Sequence, residues 1–156
     1  MHRGIASRSN GFSLMELALV IAIMAVFAAI AAPRYGRASG RYRLDLAARR
    51  VAADLRLAQS SAKTASASRT VVFTAETHQY HLSDIPAPDG AAGGYTVSLS
   101  AEPYGANLAG VDFNDTAQVI FSGWGLPNHG GTITLAVGSQ QKTVSVDGDT
   151  GQISTP

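Results

Sequence analysis

From Leu17 to Ala32 the chain runs without a single charge, and this run limits its possible folds more than any other feature. Extended back to Phe12 it counts 21 residues, which as a helix rise about 30 Å, the thickness of one hydrocarbon core. One carboxylate, Glu16, stands at its start, behind a short leader that carries Arg3 and Arg8. A charge inside a membrane helix costs on the order of 3 kcal/mol, so a chain that keeps one has a partner for it. Alanine recurs through the run at Ala18, Ala22, Ala25, Ala28, Ala29, Ala31 and Ala32. The resulting helix is narrow and lets neighbouring helices approach closely.

The junction reads Gly11-Phe12-Ser13-Leu14-Met15-Glu16. It resembles the prepilin processing motif of type IV pilins and type II secretion pseudopilins. The resemblance implies cleavage after Gly11 by a membrane prepilin peptidase and N-methylation of the new terminal Phe12. It also implies that Glu16, the fifth residue of the processed chain, neutralises the terminal amine of a neighbouring subunit during filament assembly. The family's proline falls on Pro33. Elementary electrostatics agrees: an ammonium and a carboxylate stranded in a low-dielectric core are each costly alone and much less so together.

Two other readings of this segment are an ordinary secretory signal and a plain single-pass anchor. Ala29-Ile30-Ala31 satisfies the small-residue cleavage rule. Against a signal stand Glu16 inside the apolar region and Gly11 before it. The charge bias gives no support to a cytoplasmic N-terminus, because Arg34, Arg37, Arg41 and Arg43 follow the run while only Arg3 and Arg8 precede it. Orientation, with the head on the periplasmic side of the inner membrane, rests on the resemblance.

About 120 residues remain beyond the leader and the apolar helix, enough for one compact domain. The chain has no Cys, which removes disulfides, thiol catalysis and Cys-ligated metals. Its net charge of +1 hides an uneven layout. Arg34 to Arg69 holds nine basic and two acidic residues (+7), whereas Thr70 to the end holds Lys142 against eight acids (−7). Anionic lipid or an acidic partner could meet the basic stem, and a solvated helix face complementing the head is the simpler account.

Helical periodicity continues past Pro33, which is expected to kink the helix. Leu44, Ala48, Val51, Leu55, Ala58 and Ala62 form a stripe fit to pack on a sheet, with Arg49, Arg50 and Arg56 expected to point elsewhere. Short β-branched or alternating runs follow at 70–74, 79–82, 95–99, 118–121, 132–137 and 143–146. The segments 86–94 and 102–115 are expected to be irregular loops. The passage Asp54 to Ala62 before Thr70-Val71-Val72-Phe73 resembles the GspH/FimT type of minor pseudopilin, as does the tail from Val119 to Ile153. The resemblance implies an α+β pilin-like fold, a long N-terminal helix packed on an antiparallel β head. The expected divisions are a leader (1–11), an assembly helix (12–33), an amphipathic stem (34–69) and a β-rich head (70–156).

Catalytic constellations are scarce. His78 and His81 lie three apart, which in a strand puts them on opposite faces, so no metal site is expected. Asp147-Gly148-Asp149-Thr150-Gly151 lacks the remaining ligands of a calcium loop and reads as a tight turn. The glycine-rich stretch 123–131 has no Lys and no following helix pattern, unlike a phosphate loop. Trp124 is either an interface anchor or a lid on the core. Asn114-Asp115-Thr116 is an N-glycosylation triplet. The expectation is a non-enzymatic filament subunit without cofactor or metal. Its partners would be prepilin peptidase, other pilins or pseudopilins, and the inner membrane. The alternative is a DNA-capturing minor pilin, disfavoured because Gly151-Gln152-Ile153-Ser154 carries no cation.

Overall fold

A computed structural model describes residues 12–87 and 94–155. Helix α1 spans Leu14–Ala65. Ser13 caps its start: its Oγ accepts the Met15 N–H at 3.2 Å, its carbonyl accepts the Leu17 N–H, and Glu16 lies in the first turn. Together these satisfy orphan amides and complement the helix dipole. The helix runs on through Pro33, Gly36 and Gly40, so no break divides the assembly helix from the stem. It ends at Ala65, short of the expected Arg69.

The C-terminus closes by geometry that glycine usually supplies. Ser66 sits at φ 48°, the Ser66 N–H bonds to the Lys63 carbonyl and the Ala67 N–H to the Ala62 carbonyl, a paired closure of the last carbonyls. Gly123 packs directly on this turn: a Cβ there would stand 2.8 Å from the Ser66 carbonyl carbon. Gly123→Ala is therefore expected to destabilise the head by about 2 kcal/mol through overpacking against backbone. Thermal unfolding of the variant checks this, and an unchanged midpoint would show that the turn can move aside.

Two compact units divide the chain after Ala38. In the first, every described side chain from Phe12 to Ile30 is exposed. The helix there is long and apolar enough to cross a membrane. In the second, the predicted stripe is buried throughout, joined by Ala47 and Ala52.

Strands β1 (Arg69–Thr74), β2 (Gln79–Leu82), β3 (Tyr95–Ser98), β4 (Asn107–Asp112), β5 (Gln118–Phe121), β6 (Gly131–Val137), β7 (Gln140–Val146) and β8 (Ile153–Ser154) form two antiparallel sheets. One has the order β3-β2-β1-β5 and the other β4-β6-β7-β8. The stripe of α1 shares one apolar cluster with inward residues of both, including Val71, Phe73, Leu82, Val119, Phe121, Ile133, Leu135 and Val144. Gly138, at φ 59°, leads the two-residue β6–β7 turn, where right-handed strand twist favours a positive φ.

One expectation about the loops is corrected. The segment 102–115 is not wholly irregular, because β4 forms within it by pairing with β6 around a bulge between Leu108 and Gly110. A further edge strand, β8, adds to β7. Of the other expected loop, 86–94, residues 88–93 lie outside the described ones.

Candidate functional site

The residues expected to carry assembly sit at the start of α1. Phe12 is 79% exposed and Glu16 is exposed among Leu14, Met15 and Leu19. Among the described residues Glu16 has no ion-pair partner. Gly11, the expected cleavage position, lies outside the described residues. Pro33 is interior to α1. Glu16 and Pro33 stand 17 residues apart on the same helix.

In the head, α1 is tied to both sheets by polar contacts that its apolar stripe does not foretell. Asp54 is 5% exposed. Its Oδ2 accepts from the Tyr80 hydroxyl at 2.5 Å and from Arg50 Nε at 2.9 Å, and its Oδ1 accepts from the Tyr95 hydroxyl at 2.6 Å. Arg50 Nη2 donates in turn to the Tyr95 hydroxyl. A buried carboxylate is tolerable only when its lone pairs are filled in this way. Arg50 thus does not point away, contrary to expectation. Burial opposes the charge on Arg50, but the Asp54 carboxylate more than offsets that and holds the guanidinium above its ordinary value. Burial, then the charge of Asp54, pushes the Tyr80 phenol up strongly. Burial and the hydrogen bond to Asp54 push Tyr95 up to about 12.

The sequence carries a signal for this cluster. Asp54 follows Val51 by three and precedes Ala58 by four, so it lies on the buried face, and Arg50 is one turn before it.

Other stem cations are engaged as well. Arg56 Nη2 donates to the Ile153 carbonyl, so it too turns toward the head. Asp45 receives Lys142 Nζ at 2.6 Å and Arg49 Nε at 2.8 Å, which hold its carboxyl below the usual range. Lys142, the one cation after Arg69, is thereby spent on α1. Duplex DNA is accordingly expected to bind the full chain only weakly at physiological salt, since phosphate contact needs available cations. A gel-shift salt series checks this. Tight binding that persists in the triple variant Arg41→Gln, Arg49→Gln, Arg56→Gln would promote the DNA-capture reading.

The other candidate groups take structural places. His78 Nδ1 accepts the Leu108 N–H, whereas His81 Nδ1 meets the Thr96 hydroxyl, so the two serve different neighbours. Among the described residues no cluster of His or carboxylates could hold a metal. Asp147 Oδ1 accepts from the Asp149 and Thr150 amides and the Thr150 hydroxyl, as a tight turn requires, and these bonds hold its carboxyl below the usual carboxylate range. The neighbouring open groove of about 490 Å³ is lined by glycines, Thr132, Ser145 and Ser154 around that committed carboxylate. Trp124 is 87% exposed, which excludes the lid on the core. Its loop is nonetheless fixed: Gln59 Nε2 donates to the Gly125 and Gly151 carbonyls.

Residues 47–150 match the family model for the type II transport protein GspH. Residues 6–32 match that of the prokaryotic N-terminal methylation motif. No curated protein matches the chain in sequence. The fold is similar to that of the minor pseudopilin EpsH from the type 2 secretion system of Vibrio cholerae, with a TM-score of 0.57 and 15% identity over 73% of this chain and 96% of that one. It is also similar to the type IV minor pilin FimU of Pseudomonas aeruginosa, with a TM-score of 0.55 and 14% identity over 74% and 90%. With a GspH match covering stem and head alike behind a methylation motif, the chain belongs to the GspH family of type II transport proteins.

Proposed function

We propose that the chain is a non-enzymatic minor subunit of a type II secretion pseudopilus or a related type IV pilus. Prepilin peptidase cleaves it after Gly11 and Phe12 is methylated. The apolar half of α1 anchors it in the inner membrane with the head on the periplasmic side, until that half packs among neighbouring subunits. The observation that carries this reading is the single helix α1, whose first half exposes an uncharged apolar surface led by Glu16 while its later turns are buried in a head of pilin-like topology. Such a surface in a soluble chain is costly in water at about 25 cal/mol per Å², so it belongs in lipid or against other helices. Within the filament, Glu16 neutralises the terminal ammonium of a neighbouring processed chain. Pro33, interior to the helix, marks the end of the packed segment.

Processing gives the direct test. Mass spectrometry of the membrane-bound protein is expected to find Phe12 first and methylated. A start at Ala32 would instead show an ordinary signal peptide and overturn the reading.

A further inference from the structure

We propose that copies of this chain join head to tail, the turn that carries Trp124 on one copy docking on the Arg41-Tyr42-Arg43 turn of α1 on a second copy. The contact deepens the filament reading above and rests on it. Trp124 is 87% exposed, on a turn that the fold holds firmly. The Ser122 N–H donates to the Leu126 carbonyl, the Leu126 N–H to Ser122 Oγ and the Asn128 N–H to the Ile120 carbonyl. Gln59 pins the turn from α1 through the Gly125 carbonyl. A large aromatic ring presented to water on a preorganised turn is the kind of side chain that anchors an interface, because little ordering remains to be done on binding.

The charges beside the ring indicate what it meets. The turn from Asp147 to Gly151 lies against the Trp124 turn: a Cβ at Gly151 would stand 3.0 Å from the Gly125 carbonyl oxygen. Asp147 and Asp149 are exposed there, and among the described residues neither has an ion-pair partner. Of the nearby cations, Arg56 is bonded to the Ile153 carbonyl and Arg69 to Ser61 and Ser68, while the Lys63 side chain lies across Gly125 with no carboxylate on it. An indole and two carboxylates thus stand together beside one lysine.

The complementary set lies at the start of the stem, about 30 Å back along α1 from Lys63. Arg41, Tyr42 and Arg43 are exposed, Tyr42 by 67%. Among the described residues Arg41 has no ion-pair partner, and Arg43 reaches only Glu102, at 3.8 Å. That glutamate is almost wholly exposed. Guanidinium groups stack on an indole face and pair with carboxylates, and Glu102 is placed to receive a lysine. Each end of the stem therefore offers what the other lacks. Because the two patches differ, the contact is heterologous and repeats from copy to copy without closing, as a filament requires.

The test places photoreactive benzoylphenylalanine at position 124 of the full chain in its own membranes, which keeps an aromatic ring on the turn. Illumination is expected to join two copies, with the crosslink mapped by mass spectrometry to residues 41–43 of the second. Arg41→Asp and Asp149→Arg should each lower the yield about threefold, the factor that one exposed ion pair supplies. The double variant, which exchanges the two signs, should return to at least about two-thirds of the starting yield. That recovery also shows that neither substitution unfolds the head.

Crosslinks to a different protein, to another part of a second copy or to nothing overturn the contact. So do single variants that crosslink as well as the starting chain, or a double variant no better than the singles. Terminal mass spectrometry of the same preparation separates the two levels. A first residue other than Phe12 overturns the filament reading and the contact with it, whereas a Phe12 start without crosslinks to residues 41–43 overturns only the contact.

Discussion

Asp54→Ala lowers the stability of the head by about 3 kcal/mol, near the lower end of the range for breaking a buried ion pair. The lower end applies because Arg50 is partly exposed and can turn to water, whereas the Tyr80 hydroxyl is buried and loses its acceptor. Against a typical total of about 5–15 kcal/mol this is a large fraction. Tyr80→Phe is milder, about 1 kcal/mol, because Asp54 keeps Tyr95 and Arg50. Urea unfolding of each variant checks the order. An Asp54→Ala loss no greater than that of Tyr80→Phe would show that the carboxylate is not the centre of the cluster.

The same cluster sets an alkaline limit. Tyr95 is raised to about 12 when folded, and an unfolded tyrosine ionises near 10. A raised value means that the folded state holds the proton more tightly, so the stabilisation is complete below about pH 10 and is lost as pH rises through about 12. Tyr80 shifts in the same direction. Stability should therefore fall steeply over that window, and Tyr95→Phe should flatten the slope.

Glu16→Ala is expected to leave membrane insertion and cleavage after Gly11 intact while reducing incorporation into filaments more than tenfold. An unpaired terminal ammonium in an apolar packing core costs several kcal/mol, and each 1.4 kcal/mol is a factor of ten. Sheared-filament and crosslinking assays read the effect. Glu16 also occupies the third position after the Ser13 cap, where it supports the helix start. Glu16→Gln separates the two roles, because glutamine preserves the capping pattern and removes the charge. Normal assembly of Glu16→Gln would reduce Glu16 to a capping residue and sink the charge-neutralisation account.

The apolar run and the stripe from Leu44 to Ala62 were legible in the sequence, because each is a local pattern. Spacings of three and four place side chains on one helix face whatever the rest of the chain does. Six of the strands were also legible from β-branched alternation. Strand β4 was not: Asn107-Leu108-Ala109-Gly110-Val111-Asp112 has poor strand formers, and β6 imposes the extended form on it through a bulged ladder. Strand β8, two residues long, exists only as a partner of β7. Which strands share a sheet was equally hidden, since β5 leaves its successor β6 to pair with β1.

The tertiary structure alone decided the fate of individual polar groups. Asp54 could be placed on the buried face from its spacing, but its acceptors' fate depended on Tyr80 and Tyr95, 26 and 41 residues away. Lys142, a single cation among eight acids along the sequence, is set by the fold on Asp45, 97 residues earlier. Trp124 read equally as an interface anchor or a core lid, and the fold leaves it 87% exposed. Local periodicity is written in neighbours along the chain. The pairing of distant groups is determined by which sheets close over the helix, and that closure depends on every element at once.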